Sequence, residues 1–161
     1  MVSPERVRPV VLVTGCSSGI GEAVCRHLCD AGWKVYGASR SPCGAAGVTY
    51  LPLDVTEAGS VAAAVAHLVE REGRIDALVA AAGRSLTGPV EETTIEAAQA
   101  VFDVNFFGAV RCVDAVVPAM RARGTGKIIL IGSIAGTIGL PFLGFYSATK
   151  FALNGLAVRR P

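Results

Sequence analysis

The chain has 161 residues, which suits one domain of ordinary size with a substantial core and would cramp two. Hydrophobic residues make up 52% and charged residues 17%, a balance that excludes disorder over most of the length. Fifteen basic against thirteen acidic residues leave a net charge of +2, too small for an electrostatic nucleic-acid binder.

Strand-like and helix-like segments alternate along the chain. Val10 to Thr14 reads as a first strand, followed by a glycine-rich turn and a helix ending near Gly32. Ile20, Val24, Leu28 and Ala31 form a stripe of period 3.6 on that helix. Lys34 to Ala38 and Thr49 to Leu53 predict a second and a third strand. Thr56 is placed to cap a helix with Val61, Val65, Leu68 and Val69 on one side, stopped by Gly73. Ala77 to Ala82 is the fourth strand. One long helix is expected from Ile95 to Arg123, with Pro118 kinking or breaking it. Lys127 to Ile131 is the fifth strand, and a last helix runs from Tyr146 to Val158. The short apolar runs, dense in Val, Ile and Leu, suit a parallel sheet buried on both faces. The alternation implies an α/β, doubly wound, Rossmann-like parallel sheet in a single domain over residues 1–161.

None of the apolar runs reaches the roughly 20 residues that a bilayer-spanning helix needs. The stretch after Met1 to Pro9 is too brief for a signal peptide, so a cytoplasmic protein is expected. Cys16, Cys25, Cys29, Cys43 and Cys112 contain no Cys-x2-Cys pair. Cys25 and Cys29, with His27 between them, lack further ligands at metal-binding spacing, so no metal site is expected.

The first strand runs into Thr14-Gly15-Cys16-Ser17-Ser18-Gly19-Ile20-Gly21. Glycines let the backbone turn tightly and approach a pyrophosphate, and the helix that follows aims free N–H groups at the anion. A strand before and a helix after make this turn a dinucleotide candidate, with Ser17 and Ser18 as extra donors. The second strand ends in Ser39-Arg40 with no carboxylate for a ribose hydroxyl. Arg40, with the Ser39 hydroxyl, suits a 2′-phosphate, so NADP is expected in preference to NAD. Asp54, at the end of the third strand, is a partner for the adenine amino group or, alternatively, a helix cap.

Tyr146 and Lys150 stand four apart and share a helix face. A free tyrosine has a pKa of about 10, and a neighbouring ammonium favours the phenolate. Ser133, at the C-terminal end of the fifth strand, is placed to polarise a carbonyl and stabilise a developing alkoxide.

These motifs, with Leu53-Asp54-Val55-Thr56, Asp103-Val104-Asn105 and the thirteen-residue Ser133-to-Tyr146 spacing, resemble the short-chain dehydrogenase/reductase family from Val10 to Val158. The resemblance implies Tyr146 as general acid/base, Lys150 as its pKa modulator and ribose contact, Ser133 on the substrate oxygen, and Asn105 anchoring a relay water. It also implies Gly15, Ser17, Ser18, Gly19, Ile20, Gly21, Ser39, Arg40, Asp54, Val55 and Gly83 as cofactor contacts. Gly132 to Gly136, Gly139 to Phe142 and Gly88 to Glu92 are similar to the 17-beta-hydroxysteroid and retinol dehydrogenase branch. The implied activity is NADP(H)-dependent interconversion of a secondary alcohol and a carbonyl on a small, hydrophobic, steroid- or retinoid-like substrate. Dimerisation through the long helices is implied as well.

The sequence departs from the family twice. The family's Asn-Asn-Ala-Gly is Ala80-Ala81-Ala82-Gly83 here, and methyl groups cannot make the strand-bridging hydrogen bonds, so weaker cofactor binding or stability is expected. The family pattern also continues past residue 161, so the sheet is expected to be incomplete. Strands one to five are present, the sixth and seventh are missing, and the fifth forms a hydrophobic edge. Three readings follow: the N-terminal portion of such an oxidoreductase, a short dinucleotide-binding product without turnover, or a subunit that interacts through its long helices.

Overall fold

The computed structural model describes residues 8–157. Five parallel strands, β1 (Val10–Thr14), β2 (Lys34–Ser39), β3 (Thr49–Pro52), β4 (Ala77–Ala80) and β5 (Lys127–Leu130), lie in the order β3-β2-β1-β4-β5. The central β1 pairs Val11 with Val35 of β2 on one side and with Ala77 of β4 on the other.

Alternation along β1 builds two cores. Val10 and Leu12 join Tyr36 and Leu78 under α2 (Ala58–Glu72) and α4 (Gly108–Arg123), packed with Val61, Val65, Leu68 and Val116. Val11 and Val13 join Val35, Ala77 and Val79 under α1 (Gly19–Asp30), packed with Cys25, Val24 and Leu28. Both faces of the strand are dry, which is why it reads as an unbroken apolar run.

The structure corrects four expectations. The buried stripe of α1 is Gly21 and Cys25 with half-buried Val24 and Leu28, whereas Ile20 is 61% exposed, because its first-turn position faces a cleft instead of the sheet. Thr56 does not cap α2, which starts at Ala58 after Glu57. The Asp54 carboxylate, a stronger acceptor, takes both the N–H and the hydroxyl of Thr56, at 2.9 and 2.8 Å. The long helix divides into α3 (Ile95–Phe102), a π turn over Asp103–Phe107 and α4, while Pro118 rides inside α4 without ending it. Finally, β4 stops at Ala80, because the N–H groups of Ala81 and Ala82 both turn to the Thr14 hydroxyl at 3.2 Å.

The last helix, α5 (Gly144–Leu156), begins two residues before the expected start, and Val158 lies outside the described residues. Against α5 packs a short 3-10 turn, Ile134–Gly136. The strand β5 forms one edge of the described sheet, with Ile128 39% and Ile129 48% exposed. None of the described helices is long and apolar enough to cross a membrane.

Candidate active site

A cleft of about 720 Å³ opens at the C-terminal ends of β1, β2 and β4, where open parallel sheets bind their ligands. The turn from β1 to α1 forms its floor. Gly15 has φ +71°, and a Cβ there would stand 2.7 Å from the Ala82 backbone. At Gly21 a Cβ would meet the Gly15 carbonyl oxygen at 2.1 Å, so the turn closes only without side chains at both positions. Where Gly19 would carry a side chain there is open cleft. First-turn helix amides have no intrahelical acceptor, so α1 presents free N–H groups and its positive end there. A pyrophosphate fits this floor.

The cleft brings together Gly15, Ser17, Ser18, Gly19, Ile20, Gly21, Ser39, Arg40, Asp54, Val55, Gly83, Tyr146 and Lys150. Arg40 is exposed at the tip of β2. Ser39 is buried, and its hydroxyl donates to the Ser41 carbonyl and meets Cys16 Sγ at 3.1 Å, so it is turned inward. Hydrogen bonds from the Thr56 N–H and hydroxyl hold the Asp54 carboxyl below its usual range, with a smaller contribution from the Arg40 charge. Asp54 therefore sits in a local turn while lining the cleft, so the two sequence readings of it are compatible.

At the other end, Lys150 is only 6% exposed, and its Nζ donates to the Ile131 carbonyl at 2.8 Å and lies 5.8 Å from the centre of the Tyr146 ring. Burial pushes the Lys150 amine below its ordinary pKa. Ser133, three residues past the end of β5, caps the 3-10 turn by accepting from the Ala135 N–H at 3.2 Å, and it is not among the residues that line the cleft.

Asn105 is buried in the π turn. Its amide nitrogen donates to the Arg84 carbonyl at 2.9 Å and to Thr149 Oγ1 at 3.2 Å, and its Oδ1 accepts from the Arg84 N–H at 2.8 Å. The π turn thus stitches the loop after β4 to α5 one residue before Lys150. Arg111 fastens the turn from outside, donating to Asp103 Oδ1 at 2.7 Å and to the Val55 carbonyl at 3.1 Å. Arg84 and Arg111 were not singled out from sequence, and Thr14 and Thr149 stood only as members of the glycine-turn and Tyr146-to-Lys150 motifs, with no role of their own. Apart from the Arg111–Asp103 pair, eight positions apart, these contacts span 21 to 68 positions, and no local spacing signals them.

Residues 9–159 match the family model described as short chain dehydrogenase. The chain belongs to that family. It is 44% identical over 147 residues to a 3-ketodihydrosphingosine reductase of Bacteroides thetaiotaomicron, covering 91% of this chain and 55% of the relative. It is 41% identical over 166 residues to human 17-beta-hydroxysteroid dehydrogenase type 1, covering 92% and 50%. Among solved structures, the F189W actinorhodin polyketide ketoreductase with NADPH superposes with a TM-score of 0.87 at 35% identity, covering 92% of this chain and 62% of that one. This short-chain dehydrogenase chain therefore spans about half the length of the curated relatives it matches.

Proposed function

We propose that this chain carries the nucleotide site and the proton-transfer residues of an NADP(H)-dependent oxidoreductase that interconverts a secondary alcohol and a carbonyl. One observation carries the reading. A single cleft holds the glycine turn at one end and, at the other, a buried lysine one helical turn from a half-buried tyrosine. A bound nicotinamide nucleotide supplies or accepts the hydride.

The chain's own residues do the rest. The turn from Gly15 to Gly21 seats the pyrophosphate, Arg40 the 2′-phosphate, and Asp54, Val55 and Gly83 the adenosine. Tyr146 gives a proton to the nascent alkoxide during reduction and takes it back during oxidation. The Lys150 Nζ lies 5.8 Å from the centre of the Tyr146 ring, one helical turn away on the same face of α5. Ser133 donates a hydrogen bond to the substrate oxygen. Asn105 holds the loop after β4 against α5, so that Lys150 keeps its register. An ammonium that burial makes easier to deprotonate is also suited to pass a proton toward solvent.

A hydrophobic substrate is supported by the names of the relatives, which specify a keto derivative of dihydrosphingosine and a hydroxysteroid. NADP is supported by Arg40 and by the NADPH in the ketoreductase structure. Self-association through the long helices is supported by Ile95 on α3, Phe107 in the π turn that leads into α4, and Phe151 on α5, which are large, apolar and exposed. A cytoplasmic location agrees with five unpaired thiols.

The test is reduced-nucleotide oxidation with a panel of hydrophobic ketones, alongside fluorescence titration of NADPH. Tyr146→Phe is expected to lower kcat by about 10²-fold or more, as removal of a general acid does, with NADPH affinity held within about twofold. Equal turnover by both proteins, or no binding of NADPH to the unmodified chain, overturns the reading.

A further inference from the structure

Four of the five cysteines converge on one corner of the fold, at the arginine end of the cleft. Cys16 follows the first glycine of the turn and is fully buried. A methyl placed on Gly37 would stand 3.0 Å from Cys16 Sγ and 2.7 Å from Val48 Cγ1, so Cys16 and Val48 cover the same face of β2. The loop between β2 and β3 then folds back along α1. Positions equivalent to a Cβ on Gly44 and Gly47 fall 3.6 Å from Glu22 Oε1 and 3.6 Å from Cys29 Sγ. Glu22, Cys25 and Cys29 lie on one face of α1, and Cys43 immediately precedes Gly44.

The half-buried Cys43 therefore packs into the cluster that holds Cys16 and Cys25. Its Sγ accepts from the Ala45 N–H at 3.5 Å, and its side chain packs against the same apolar cluster as Cys16 and Cys25. Cys43 stands three residues beyond Arg40 and Cys16 shares a hydrogen bond with Ser39, so this thiol pair underlies the segment that carries Arg40.

We infer that Cys43 and Cys16 form an oxidisable dithiol pair beneath the 2′-phosphate end of the cleft, closed to a disulfide by small-molecule disulfides, with loss of nucleotide affinity. The second half of this inference rests on the proposed NADP site. Cys43, the more accessible thiol, loses its proton and attacks one sulfur of the reagent RSSR, expelling RS⁻ and forming Cys43–S–S–R. Cys16 then loses its proton and attacks the Cys43 sulfur, expelling the second RS⁻. Two protein thiols are oxidised to one disulfide, and one RSSR is reduced to two RSH. Cys16 is the better resolving partner. Its Sγ lies 3.1 Å from Ser39 Oγ, at the strand end that leads into the loop carrying Cys43, whereas Cys25 sits on α1, and burial pushes the Cys25 thiol up to about 12.

Closing this bond takes Cys16 from its Ser39 partner and draws the loop after Arg40 toward the glycine turn. Because linkage is reciprocal, bound nucleotide must oppose the oxidation by the same factor by which the oxidation opposes binding.

The experiment incubates the full chain with oxidised glutathione, maps disulfides by peptide mass spectrometry and titrates NADPH before and after. A Cys16–Cys43 linked peptide is expected, absent in Cys43→Ser and retained in Cys112→Ser. The NADPH dissociation constant is expected to rise about tenfold on oxidation, a typical coupling, and saturating NADPH should suppress the link. Cys43→Ser should bind NADPH with unchanged affinity under both conditions. A link from Cys43 to Cys25 alone, no link, or equal NADPH affinity in the two redox states overturns the inference. A reduced protein that binds no NADPH overturns the proposed function and the affinity claim together, while the disulfide map still decides the pairing.

Discussion

Arg40 stands alone at the tip of β2. The Ser39 hydroxyl beside it is spent on the Ser41 carbonyl, so in the proposed NADP site the 2′-phosphate is left to the guanidinium. A charge-assisted hydrogen bond contributes about 1.5–3 kcal/mol, so Arg40→Ala is expected to weaken NADP binding by roughly ten- to hundredfold. NAD, lacking the phosphate, should bind the variant as it binds the parent. Parallel fluorescence titrations of the two nucleotides decide it, and an equal loss for both would show that Arg40 supports the loop without reading the phosphate. Residue type and position in a βα unit marked Arg40, Gly15, Tyr146 and Lys150 as candidates in the sequence, and all four line one cleft. The inward turn of Ser39 was not visible, since a hydroxyl's direction depends on which carbonyl the following loop brings near it.

Sequence periodicity captured which segments are strands and helices better than where they change. All five strands were legible as short runs rich in apolar residues, although only β1, β2 and β4 are buried almost throughout, while β3 and the edge strand β5 are partly exposed. The break in the long helix was not legible: proline is a local signal, whereas the π turn at Asp103–Phe107 is held by Asn105, bonded to Arg84 and Thr149, and by Arg111, which joins Asp103 of the turn to the distant Val55 carbonyl. The same applies to the alanines that replace the family's asparagines. Ala80 packs with Ala109 and Leu153, and the Thr14 hydroxyl accepts the N–H groups of both Ala81 and Ala82. One buried side chain on β1 thus ends β4 and shapes the wall of the cleft. Thr14→Val keeps the shape and removes the acceptor. Leaving buried N–H groups unpaired is expected to cost about 1–3 kcal/mol, read as a lower urea midpoint at unchanged slope. A variant as stable as the parent would mean that the two amides find other partners.

Across the whole molecule, the strands are tied together at the end of the sheet opposite the cleft, and Asp76 is the knot. Its Oδ2 accepts from the Val10 N–H at 2.8 Å and from Arg74 Nε at 2.7 Å, and its Oδ1 accepts from Arg74 Nη2 at 2.6 Å. The Asp76 N–H donates to the Val10 carbonyl and its carbonyl accepts from the Lys127 N–H, each at 2.9 Å, so β1, β4 and the edge strand β5 all begin at this residue. That tie has added weight in a sheet whose β5 edge carries exposed Ile128 and Ile129. The hydrogen bond from Arg74, above all, holds the Asp76 carboxyl below its ordinary value. A folded-state pKa below the unfolded value of about 3.9 stabilises the fold fully above that pH, and the contribution disappears as pH falls through the folded value. Asp76→Asn is therefore expected to lower stability by about 1–3 kcal/mol at neutral pH, with the difference from the parent shrinking through the acid carboxylate range. Urea unfolding of both proteins at neutral and acid pH measures that difference. If it stays constant across the range, the amide's altered hydrogen bonding, and not the lost charge, accounts for the whole effect.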